Sequence, residues 1–148
     1  MGLRDRIRSI LSIKESPHRI AASFAIGVFV AFTPSYGLHT ISAILLSWAF
    51  RLNKVVTLTG TLVNNPWTIA FIYGPSLWLG MVILDQQITI SSIPWKDLGI
   101  KNLLIQLESI LLPFVIGTFI LGILAGLLSY HIILKAILRI RSSKKGGF

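Results

Sequence analysis

The sequence predicts an all-α integral membrane protein made of two broken, re-entrant-like helical segments, an amphipathic helix and a final transmembrane helix. Three observations lead there. Of the 148 residues, 53% are hydrophobic and 13% charged, with a mean hydropathy of +0.77, where a soluble domain carries roughly a quarter charged residues. Two long runs, Ile20 to Phe50 and Val55 to Leu84, contain no charged side chain, yet proline interrupts both. The formal net charge of +9 is concentrated at the edges of the apolar runs. Arg4, Arg6, Arg8, Lys14 and Arg19 precede the first run, Arg51 and Lys54 divide it from the second, and Lys135, Arg139, Arg141, Lys144 and Lys145 follow the last. That placement is the positive-inside pattern and suits contact with the headgroups of anionic membrane lipids. It argues against nucleic acid as the partner of the positive charge.

The chain reads as a single membrane domain, 1–148. Residues 1–15 form a basic amphipathic arm, with Leu3, Ile7, Ile10 and Leu11 on one helical face and Arg4, Asp5 and Arg8 on another. A short helix in the headgroup plane and a solvated basic arm both fit this pattern. The apolar run behind it exceeds a signal h-region of about 7 to 15 residues and lacks a small-x-small cleavage site, so the arm is expected to stay attached.

Ser16 and Pro17 then offer a helix start, Ser as N-cap and Pro at the first position. As one helix the first run would be about 45 Å long against a hydrocarbon core of about 30 Å, and two full spans need about 40 residues. Pro34 removes a backbone donor, Thr33 before it is pushed out of the helical region, and Gly37 accepts any backbone geometry. A broken helical hairpin over 20–50, turning at Pro34 to Gly37, is expected.

The second segment, 55–84, is expected to break at N-N-P-W-T, Asn64 to Thr68, and again at Y-G-P, Tyr73 to Pro75. Gly27 stands seven positions before Pro34 and Gly60 six before Pro66. The two runs therefore share a Gly, apolar turns, polar-Pro-aromatic order, which fits either a weak internal repeat or a coincidence of two apolar segments.

Residues 85–109 read as an extracytoplasmic loop, anchored at Pro94 and Trp95, that becomes an amphipathic helix. Residues 110–134 suit one transmembrane helix with a kink at Pro113, and 135–148 a basic tail. Two basic termini place both ends in the cytoplasm and make the number of crossings even.

The phrases S-P-H-R-I-A-A-S-F-A-I-G-V-F-V-A-F-T-P-S-Y-G-L-H-T and R-L-N-K-V-V-T-L-T-G-T-L-V-N-N-P-W-T resemble a bacterial membrane family catalogued as domain of unknown function 2062. Ser16, Pro17, Ala25, Gly27, Phe32, Pro34, Arg51, Asn53, Asn65, Pro66 and Thr68 fall on its motif positions, and the likeness covers roughly residues 16 to 125. The resemblance implies a location in the bacterial inner membrane. Relatives joined to glycosyltransferase modules imply a link to envelope polymers or lipid carriers. It implies no reaction.

In hydrocarbon every backbone polar group needs a partner, so broken helix survives only where protein buries it or a wet cavity receives it. Transporters build sites from such breaks, using the N-terminal ends of half-helices to receive anions. The candidate substrate-binding residues are Thr33, Pro34, Ser35, Tyr36, Gly37, His39 and Thr40 at the first break, Asn64, Asn65, Pro66, Trp67 and Thr68 at the second, and Arg51 and Asn53 between them. The competing reading is that the Ser, Thr and Asn side chains only satisfy freed backbone groups or bond across helices, and that Arg51 and Lys54 only set topology.

No catalytic residue, metal site or cofactor is expected. The five acids lie outside the breaks, the three histidines lack ligand spacing, cysteine is absent, and neither a phosphate loop nor a nucleophile elbow occurs. Gly122 and Gly126 have the four-residue spacing of close helix contacts and suggest a homo-oligomer. The sequence thus points to a non-enzymatic transporter or translocator of an anionic or lipid-linked solute. The alternative is a structural or assembly subunit of a membrane complex, with a tie to envelope glycan synthesis.

Overall fold

A computed structural model describes residues 2, 5, 14–35, 37–86 and 99–145. Most of the basic arm, Tyr36 and the Pro94–Trp95 loop lie outside them. Every regular element among the described residues is a helix: α1 (Pro17–Phe32), α2 (His39–Ala49), α3 (Lys54–Thr61), α4 (Ile69–Ile83) and α5 (Ile100–Lys145).

The frame is α5, which at 46 residues is about 69 Å long. It is long and apolar enough to cross a membrane, whereas α1, α2 and α4 are apolar but shorter. Both α1 and α4 run antiparallel to it. On its C-terminal half Ile20 of α1 clusters with Val56 of α3 and Ile137 of α5, and Phe29 and Phe32 of α1 lie against Gly122. On its N-terminal half, Ser76 and Gly80 of α4 face Gly117 and Pro113. The two shorter helices therefore occupy successive stretches of one long partner, and the breaks fall between them.

Small residues make these contacts. A Cβ on Gly27 would overlap the Thr57 carbonyl oxygen and come within 2.8 Å of Gly60 Cα. One on Gly80 would overlap the Pro113 carbonyl oxygen, and one on Gly117 that of Ser76. Gly122 and Gly126, the pair the sequence offers to a second subunit, are buried against α1 of the same chain, with Ala25 O 3.2 Å from a Cβ at Gly126. Ser23, Ser47, Thr57, Ser76 and Thr118 are fully buried, while Trp67, Phe71 and Trp48 are 87%, 82% and 72% exposed. The buried Ser and Thr sit beside buried Ile20, Val30, Val56 and Ile137.

The first run is two helices. Ser16 Oγ accepts the Arg19 N–H and caps α1. Thr33, forced extended by Pro34, ends it at ψ 143°. Gly37 takes φ +82° in the turn into α2. At the far end of α2 the Arg19 guanidinium donates to Arg51 O, so the chain has come back beside the start of α1.

Two expectations need correction. Y-G-P does not interrupt the second run, because α4 passes through Pro75. An internal proline costs about 3 kcal/mol, but Tyr73 packs on Phe114 before it and Ser76 and Gly80 pack on α5 after it, and Ser76 Oγ donates to Ile72 O at 2.6 Å. The separate amphipathic helix, transmembrane helix and tail are one helix, since α5 contains Pro113 and continues to Lys145. Pro113 is buried where Gly80 lets α4 approach, and the charges of Lys101 and Glu108 sit on exposed positions that a helix tolerates.

Candidate functional site at the helix breaks

The two breaks meet at Asn64. Its Nδ2 donates to Ala31 O at 2.9 Å and to Tyr73 Oη at 3.2 Å, and lies 3.4 Å from His39 Nε2. One side chain thus touches the end of α1, the start of α2 and the first half of α4. Tyr73 is steadied by an edge-on contact with Phe114, ring centroids 5.1 Å apart. The other Asn64 atom, Oδ1, is buried and accepts no hydrogen bond from the described residues. Beside it opens a cavity of about 210 Å³ lined by Gly37, His39, Thr61, Leu62, Asn64, Asn65, Pro66 and Ile69.

The remaining break residues close the backbone. Thr33 Oγ1 donates to Val30 O at 2.7 Å and pairs with Ser35 Oγ at 3.1 Å. N-P-W-T is a self-contained turn, with Asn65 Oδ1 accepting the N–H groups of Trp67 and Thr68. Thr68 Oγ1 accepts the Asn65 N–H and donates to Val63 O at 2.6 Å. Pro34, Thr40 and Trp67 are exposed and do not line the cavity.

Arg51 and Asn53 are elsewhere. Twelve residues of α1 separate Ala31, which Asn64 holds, from Arg19, which bonds Arg51 O, a span of about 18 Å. Asn53 is a staple: Oδ1 caps α3 at Val56 N–H, Nδ2 donates to Glu15 Oε1 at 3.1 Å, and its N–H donates to Ser23 Oγ at 2.9 Å. Glu15 also lies 3.7 Å from Arg19 Nε, and Arg141 donates to its carbonyl at 2.7 Å. A second cavity, of about 420 Å³, opens here among Arg19, Arg51 and Lys54.

Tyr73, Glu15, Arg19 and Ser23 carry these contacts, and sequence reading passed over them as site residues. Two signals were present: Glu15 and Arg19 stand four apart, as do Ser23 and Gly27. Tyr73 had none, because its Y-G-P context suggested a break.

Such an arrangement defines an all-helical bundle whose two broken-helix segments are tied together at one amide. The chain belongs to the family described as uncharacterized protein conserved in bacteria (DUF2062), whose profile matches residues 2–145. No curated protein and no solved structure matches it.

Proposed function

We propose that the protein is integral to the bacterial inner membrane and translocates an anionic or lipid-linked solute at the joined breaks. The observation that carries this reading is the level of Asn64. Gly122 is the midpoint of the apolar run Ile110 to Leu134 and packs on Phe29 and Phe32, the last turn before the first break. A bilayer centred on that run puts the Asn64 cluster near the midplane, where broken backbone is tolerated only beside protein or a cavity. Exposed Trp67 and Phe71 with buried Ser and Thr support the same placement. In it, α1 and α2 are a re-entrant hairpin, α3 and α4 together cross, and α5 returns. Arg19, Arg51, Lys54, Lys135 and Arg139 then share the cytoplasmic side with both termini.

The cavity is lined by neutral side chains, with no carboxylate among the described residues for proton coupling, which favours facilitated movement. The test is lipid scrambling: the chain reconstituted in vesicles with fluorescent phosphatidylglycerol, bleached from outside by dithionite. Wild-type protein is expected to expose the inner-leaflet probe and Asn64→Leu to slow this about tenfold. Wild-type vesicles no faster than protein-free ones would overturn translocation of this class of lipid.

A second reading, an assembly subunit of a complex tied to envelope glycan synthesis, is favoured by the backbone-closing bonds of Thr33, Asn65 and Thr68. Those bonds leave the break less free to bind a solute.

A further inference from the structure

We propose that the cavity at the return of the first hairpin, about 18 Å along α1 from the breaks, is a phosphoryl-group site whose principal ligand is Arg51. Arg19, Arg51 and Lys54 line its volume of about 420 Å³ together with Ser47 and Trp48, and no acidic side chain among the described residues lines it. The nearby acid, Glu15, is engaged outside the cavity by Arg19 at 3.7 Å and Asn53 Nδ2 at 3.1 Å, so it offsets at most part of one of the three charges.

The backbone fixes where Arg51 sits. It has φ +52°, the left-handed conformation that costs an L residue roughly 1–2 kcal/mol. The residue sits at the position after the α2 cap where glycine is usual. Leu52 N–H bonds to Ser47 O at 2.7 Å and Arg51 N–H to Trp48 O at 3.2 Å, the paired bonds of a helix-ending left-handed turn. Glycine would make this turn without strain, and Asp85 after α4 makes the same turn at φ +51°, so the conformation sets the position of Arg51 and the charge lining the cavity carries the assignment. Arg51 thus lines the cavity together with Lys54 and with Arg19, whose guanidinium donates to Arg51 O, and clustered guanidinium and ammonium groups are the chemistry that takes a phosphate or phosphodiester. Trp48, 72% exposed at the same mouth, is a residue type that settles at a lipid headgroup level. The phosphoryl group has two conceivable sources, a membrane lipid or a soluble phosphate. Only the lipid source rests on the membrane reading above, and the break cavity plays no part in it.

The test uses full-length protein purified in an uncharged maltoside detergent and read by native mass spectrometry. Phosphatidylglycerol, phosphatidylcholine, glycerol 3-phosphate and inorganic pyrophosphate are the added probes. Phosphatidylglycerol is expected to be retained at least fivefold over phosphatidylcholine. Arg51→Gly, which keeps the turn and removes its strain, is expected to abolish that preference while melting no lower than wild type, and Arg51→Lys to restore part of it. Competition by the soluble phosphates marks a site that reads the phosphoryl group alone, and lack of competition marks a lipid site; both support the proposal. Equal retention of the two lipids by wild type, or an unchanged preference in Arg51→Gly, would overturn it. Asn64→Leu should leave this binding intact, so failure here and failure of translocation are separate results.

Discussion

Gly27 and Gly60 cross with their backbones in contact: a Cβ built on Gly60 would lie 2.9 Å from Gly27 Cα and 2.5 Å from Phe24 O. This crossing joins α1 to α3 and so sets where both breaks fall. Gly27→Ala or Gly60→Ala forces two helices apart, for which overpacking of about 1–3 kcal/mol is the usual scale. Each is expected to lower the temperature at which the detergent-solubilised protein leaves its monodisperse size-exclusion peak. Gly99→Ala, where a Cβ meets nothing within 4 Å, should leave that temperature unchanged.

The α4–α5 contact makes a matching prediction. A Cβ on Gly80 would strike Pro113 and one on Gly117 would strike Ser76, so both faces of one contact are backbone. Gly80→Ala and Gly117→Ala should each destabilise by a similar amount. Their combination should cost less than the sum, because residues in one contact do not act independently. Thermal unfolding of the two single variants and the double variant measures the difference.

Asn64 ties three helices through one amide, which makes its loss larger than that of an ordinary exposed polar residue. Asn64→Leu leaves Ala31 O without its donor and separates Tyr73 from the first break, a cost of about 1–3 kcal/mol for an unsatisfied buried group. Tyr73→Phe removes only one of those bonds and should cost about 1 kcal/mol. Hydrogen exchange of the Phe29 to Thr33 amides is expected to quicken more in Asn64→Leu than in Tyr73→Phe.

Asn53→Ala removes the α3 cap together with the donor to Glu15. Cap loss alone is worth about 1 kcal/mol, and Glu15, whose Oε2 already has no hydrogen-bond partner, would lose the donor to Oε1 as well. The variant should therefore be less stable than one lacking a cap alone. Comparison with Asn53→Asp, which keeps a capping oxygen but faces Glu15 with a second acid, should show that variant destabilised too.

What sequence reading delivers here depends on whether a local rule meets a tertiary contact. Proline with a glycine three residues later places the end of α1 at Phe32, because Thr33 has no helical option before Pro34. Y-G-P carries a similar local signal and is wrong as a break, because Tyr73 on Phe114 before Pro75 and Ser76 and Gly80 on Gly117 and Pro113 after it hold α4 against α5. Of the candidate residues, His39, Asn64, Asn65, Pro66 and Gly37 do share a cavity, whereas Arg51 and Asn53 lie at the opposite end of α1. Sequence order puts Arg51 between the breaks, and only the return of α2 shows that being between them in the chain means being far from both. The Gly27 and Gly60 correspondence has a physical basis in their mutual contact, which does not require a repeat. The spacing of Gly122 and Gly126 identifies a close approach without naming the partner, and within the chain that approach is made by α1.

The central claim is that α1 and α2 enter and leave on one side while α3 and α4 cross. The natural chain has no cysteine, so single substitutions at Lys14, Lys54, Gln86 and Ser142, all exposed, can be probed in cells with a membrane-impermeant maleimide. Gln86→Cys is expected to be labelled from outside intact cells, and Lys14→Cys, Lys54→Cys and Ser142→Cys only after permeabilisation. Labelling of Lys54→Cys and Gln86→Cys from the same side would contradict it.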